Sequence, residues 1–228
     1  MCAQLYWWCV DSNYKVSLMN WQEFTALLVL ATAMSFSPGP NTTLATALAA
    51  NHGLKRAMRF VCAVPVGWGL LLTSCVFGVG ALLLAVPLLT TTIKAVGVGY
   101  LLLLAFRLFN RGQTPIDSSV NPSLDTSKLN ITFTQGVTMQ FFNIKAWMLA
   151  LAIVSGWIAG RVNLWERFAV VLPLMLVFAF ASNLTYALVG ALLKDWLAGP
   201  NESGKRLIWF NRAMALLLAL TAFWMVTI

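Results

Sequence analysis

The chain has 228 residues, 60% of them hydrophobic and only 10% charged, with a net charge of +8. Soluble domains run near about 45–50% apolar and about 25% charged, so one water-soluble core cannot hold this much apolar side chain, and the class is an all-α polytopic membrane protein. A single histidine excludes a multi-histidine metal site, the short scattered basic clusters offer no stripe for nucleic acid, and no cofactor is expected.

In chain order, residues 1–18, "MCAQLYWWCVDSNYKVSL", lack the basic start and long apolar core of a signal peptide. They read as an N-terminal tail, either disordered or an extension ahead of a true start at Met19, where "NWQEFTALLVLATAM" is a natural membrane-helix start. Residues 19–228 read as one domain with six apolar spans, roughly 22–50, 60–86, 93–109, 136–158, 168–193 and 207–227. The third, beginning beside Lys94, is the shortest. A polar loop, 111–130, joins two halves of three helices, about 19–110 and 131–228. An odd number of crossings per half reverses the second, so a repeat between them is an inverted one. Cys62 and Cys75 read as small buried hydrophobes, and no CxxC spacing occurs.

Lys55, Arg56, Arg59, Arg107, Arg111, Lys128, Lys194, Lys205 and Arg206 fall on one side of this topology, and Lys15, Lys94, Arg161 and Arg167 on the other. The positive-inside rule makes the first side cytoplasmic and puts both termini outside the cytoplasm.

The first span contains "SFSPGPNTT", residues 35–43. Pro38 and Pro40 lack N–H donors and leave carbonyls around Ala33–Phe36 unpaired, while Gly39 permits a turn and a close approach. In hydrocarbon such a break survives only where it is buried in protein or lines a wet cavity. Helix can restart near Asn41, with Thr42 and Thr43 refilling lost hydrogen bonds, and its N-terminus would attract a carboxylate. A plain proline kink and a binding site both fit. Fifteen residues separate Glu23 from Pro38, about 22 Å of helix, which puts the break deep in a core of about 30 Å.

In "MQFFNIKAWM", Lys145 lies nine residues after Gly136, roughly 14 Å along a helix and too deep for its stem to reach water. It either meets a substrate carboxylate or bonds the freed carbonyls of the first helix. Asn183 and Tyr186 share a helix face and line a cavity or tie helices together. Arg212, one turn into the last span, can snorkel to the headgroups. Gly67, Gly69, Gly78, Gly80, Gly97 and Gly99 favour close helix contacts, and His52 before Gly53 ends the first helix. No acidic residue lies deep in a span, and no nucleophile–base pair appears, so an enzyme is not expected.

"SPGPN", "HGLKRA", "GVGYLLLLAFRL", "FFNIKAW" and "FNRAMALLLAL", in this order from Met19 onward, resemble the lysine exporter (LysE/RhtB) family of bacterial inner-membrane amino-acid exporters. "QFFNIKAW" and "SNLTYALVGALLKDWL" look most like its cysteine/O-acetylserine branch. The resemblance implies six helices in inverted repeats of three, efflux driven by the proton gradient, and a central site at Pro38, Gly39, Pro40, Asn41, Asn143 and Lys145. Two departures stand out. Gly67 is followed by Trp68 where many relatives carry an acid, which argues against a basic substrate. Ile144 replaces a proline, which predicts a straighter fourth span.

The expected function is secondary export of a small neutral amino acid or derivative, such as cysteine/O-acetylserine or homoserine/threonine, across the inner membrane. Its partners are that substrate and lipid, and self-association is left open. The site comprises Pro38, Gly39, Pro40, Asn41, Thr42, Asn143, Lys145, Asn183 and Tyr186. The alternative is a non-transporting membrane scaffold in which Lys145 only pins the broken helix.

Overall fold

The computed structural model describes residues 19–111, 131–199 and 204–227. The expected tail, and the polar loop beyond Arg111, lie outside the described residues. All regular elements among the described residues are helical.

Helix α1, Trp21–Phe36, opens on a capping box: Glu23 N–H donates to Asn20 Oδ1 at 2.7 Å and Asn20 N–H to Glu23 Oε2 at 3.3 Å. It stops before Pro38. Helix α2, Pro40–His52, restarts with proline at its first position, where a missing N–H costs nothing. The expected break is therefore present, and Gly53, at φ 81°, closes α2 after His52 as expected.

Helix α3, Leu54–Val76, ends at Gly78 (φ 94°), followed by α4, Val79–Ala85, and α5, Pro87–Phe109. The second expected span is thus two helices, and the third begins at Pro87 rather than near Lys94, so it is long enough to cross. Helix α6, Phe133–Phe141, is followed by α7, Ile144–Ile153, which runs on as a π-helical turn over Val154–Ile158. Helix α8 is Leu164–Ala198 and α9 is Lys205–Thr227.

The fourth span is not straighter. Its α6 and α7 portions meet at 63° although no proline separates them. Local caps and a tertiary contact take the proline's place. Asn143 Oδ1 accepts the Lys145 N–H at 3.1 Å, and Trp147 Nε1 donates to the freed Phe141 carbonyl at 2.8 Å. The Phe142 carbonyl lies against Gly97 of α5, where any Cβ would collide with it.

Four helices, α3, α5, α8 and α9, are long and apolar enough to cross a membrane, and the bent α6–α7 pair makes a fifth. Helices α1 and α2, of 16 and 13 residues, are each short of the roughly 20 residues a crossing needs. The chain has the apolar exterior of a multi-pass membrane protein: Leu88, Leu192, Trp209 and Phe223 are all exposed.

Helix α2 is the hub, with Thr42 to Ala50 buried throughout. Its small side chains let α8 approach until Gly190 touches the Thr46 backbone. Between helices in lipid, such close packing replaces the hydrophobic drive available in water. Gly67, Gly69, Gly80 and Gly97 also meet neighbouring groups, but Gly99 and Gly78 have nothing within 4 Å where a Cβ would go. Gly78 serves its left-handed turn instead.

Polar ties close both ends of the bundle. At one, Glu23 pairs with Arg167 at 3.0 Å and Arg161 at 3.3 Å, and its carbonyl accepts from Trp157 Nε1 at 2.8 Å. At the other, Asn51 and Asn211 exchange amide hydrogen bonds at 2.7 and 3.0 Å. His52 Nε2 there faces Arg111 Nη2 at 2.6 Å. Burial, with Arg111, Arg56 and Lys194 nearby, lowers the His52 pKa to about 4, so the ring stays neutral and accepts.

Candidate functional site

The break between α1 and α2 leaves a set of carbonyls to satisfy. Each partner comes from a different place. Ser37 N–H still reaches the Ala33 carbonyl at 3.2 Å, and Ser37 Oγ donates to Met34 O at 3.0 Å. Tyr186 on α8 donates its hydroxyl to Phe36 O at 2.8 Å. Lys145 on α7 donates Nζ to Ser37 Oγ at 2.7 Å, Ser37 O at 3.1 Å and Pro38 O at 3.5 Å. Gly39 makes room for that ammonium, since a Cβ there would come within 3.2 Å of Nζ. Thr42 ties the start of α2 down, its hydroxyl accepting from Gly39 N–H at 3.0 Å and donating to Gly39 O at 3.1 Å.

A cavity of about 60 Å³ opens beside this junction. Five elements line it: Met34, Ser35 and Ser37; Gly39 to Thr42; Val64 and Trp68; Asn143, Lys145, Ala146 and Leu149; and Met175, Ala179, Ser182 and Asn183. The N-termini of two half-helices, α2 at Pro40 and α7 at Ile144, both start at its wall. The first-turn N–H groups of a helix have no acceptor within it, and its dipole leaves that end partly positive. Lys145 adds a full positive charge. Among the described residues, no Asp or Glu lines the cavity. At about 10–15 Å³ for each water, the space holds a handful of waters or a small polar molecule.

Asn183 on α8 also lines the cavity. Its Nδ2 donates to Ala179 O at 2.8 Å, one turn back on α8, while its buried Oδ1 has no hydrogen-bond partner. An unmet buried acceptor costs about 1–3 kcal/mol and needs an explanation.

Of the residues expected at the site, Pro38 and Tyr186 bound the break without lining the cavity, and the others line it. Asn41 is not free there. Its amide is paired with that of Gln140 on α6, in bonds of 2.8 and 3.2 Å, and Gln140 Nε2 also reaches Gly136 O at 3.1 Å. Sequence reasoning passed over Gln140, Ser37 and Ser182. Gln140 is fully buried, and a glutamine three residues before Asn143 in an apolar run was the available signal. Ser37 and Ser182 carry no such signal, since serine is common in membrane helices.

The family model described as "LysE type translocator" matches residues 32–227. A protein described as a cysteine/O-acetylserine efflux protein, from Klebsiella pneumoniae subsp. pneumoniae, is 26% identical over 172 residues, covering 75% of this chain and 83% of the relative. The Escherichia coli K12 protein of the same description is 23% identical over 193 residues, 85% of this chain and 91% of that one. No solved structure matches the chain.

Proposed function

The chain belongs to the LysE type translocator family, and from that membership we propose that it is a secondary exporter of small neutral amino acids, with cysteine and O-acetylserine, named in its relatives' descriptions, as the first substrates to test. The topology that goes with this reading is six crossings, with α1 and α2 together forming the first. The halves are inverted repeats, both termini are extracytoplasmic and the membrane is the bacterial inner one. The proton gradient is the driving force.

One observation carries the substrate class: the cavity has a positive face and an unmet acceptor, and no acid among the described residues. A zwitterion fits both. Its carboxylate would meet Lys145 and the N-termini of α2 and α7, and its ammonium would donate to Asn183 Oδ1. A cationic side chain would find no counter-charge, and the small volume excludes large ones. Lys145 now holds Ser37 and Pro38. Drawing it to a carboxylate would release the α1–α2 junction, so binding and opening share one group. The Glu23–Arg167–Arg161 cluster would then part when the far end opens.

The test is efflux of labelled O-acetylserine, cysteine and lysine from proteoliposomes. Protein-dependent export of the first two but not lysine is expected. Lys145→Ala should lower that export by about 30-fold or more, the cost of removing one partner of a buried charge pair. Asn183→Leu should raise the half-saturating concentration about tenfold with little loss of fold, because Oδ1 has no internal partner to lose. A scaffold reading also has an observation behind it, since all the polar contacts of Lys145 Nζ are to the break. Folded Lys145→Ala and Asn183→Leu proteins with unchanged export, or a wild type with none, would favour it.

A further inference from the structure

A second cavity, of about 680 Å³, lies between α5 and α9, well apart from the first. Its size is in the range of ligand sites, about 300–1,000 Å³. The walls are apolar, with one exception, Arg212. Small residues at Ala215 and Ala219 hollow the groove, and Phe109 and Trp209 line it as well. The Arg212 guanidinium stacks on both rings, at 5.2 Å from Phe109 and 5.5 Å from Trp209. Its Nε is buried and has no acceptor, and the Arg212 side chain makes no hydrogen bond among the described residues. A buried guanidinium nitrogen left without an acceptor is costly. Snorkelling accounts for the outer nitrogens of the half-buried guanidinium and leaves Nε unmet.

We propose that this groove is a binding site for one anionic glycerophospholipid, with the phosphate on Arg212 and an acyl chain along the apolar floor. Arginine's planar fork suits a phosphate. Exposed Trp209 sits at the same level, as interfacial aromatics do, and Lys205 and Arg206 begin the same helix. A second copy of the chain fits less well. Helices α5 and α9 carry no acidic residue, so a two-fold contact through this face would bring Arg212 against its own kind without a counter-charge.

The experiment is native mass spectrometry of the full chain purified from bilayers of equal phosphatidylglycerol and phosphatidylcholine. Wild type should retain phosphatidylglycerol selectively, one molecule per chain. Arg212→Gln should reduce that retention about tenfold, the loss of a charge-assisted bond. Ala219→Trp keeps the arginine but fills the groove, and should reduce it as well, which covers the case of an unstable Arg212 variant. Equal retention of the two lipids by wild type, or undiminished selectivity in Ala219→Trp, overturns the proposal. So does a lipid-free dimer that Ala219→Trp dissociates, which would assign the groove to a second copy.

Discussion

The two broken helices make opposite use of sequence. The α1–α2 break is written in proline: Pro38 and Pro40 remove two donors within three residues, and Gly39 lies between them. The α6–α7 break has no proline, yet the chain turns by 63°. Single prolines elsewhere do not always break a helix: Pro65 and Pro173 lie inside α3 and α8, whereas Pro87 starts α5. Proline alone therefore does not decide where a membrane helix stops. A break stands where the freed carbonyls find new donors and the bent backbone finds a partner. Tyr186 and Lys145 supply the donors in the first case. Trp147, Asn143 and the glycine at 97 supply the equivalents in the second.

This contrast can be broken at several points. The largest effect is expected for Gly97→Leu. Its side chain would meet the Phe142 carbonyl, so the bend must shift, at the upper end of about 1–3 kcal/mol. Thermal unfolding in detergent should show it, and an unshifted Tm would mean that α5 does not hold the second break. Next is Asn143→Ala, which removes the α7 cap and should cost about 1–2 kcal/mol with reduced export. Intact stability there would show that the bend needs no cap. Tyr186→Phe strips the Phe36 carbonyl of its donor, for about 1 kcal/mol, and loosens the first break only. Hydrogen exchange at the start of α2 should rise while that of α7 stays level.

The smallest effect sharpens the comparison. Ile144 is the first residue of α7, where proline is welcome. Ile144→Pro should lose only some side-chain packing, about 1 kcal/mol. A cost near the roughly 3 kcal/mol of a proline in a helix interior would show that α6 and α7 run together.

Much of this was legible in the residues. Composition and apolar runs determined the membrane class and the order of the helices. The prolines marked the first break, Gly53 the end of α2, and Lys145 and Asn183 stood out as polar groups in apolar surroundings. These are local properties, readable from chain neighbours and the solvent. Tertiary structure decided the rest. It made the second bend, because a carbonyl's close approach to a glycine 45 residues away leaves no local trace. It paired Asn41 with Gln140 and left Asn183 Oδ1 unmet. It also turned Lys145 onto Ser37 and Pro38, since only the packing of α7 against the α1–α2 junction brings that ammonium to those carbonyls.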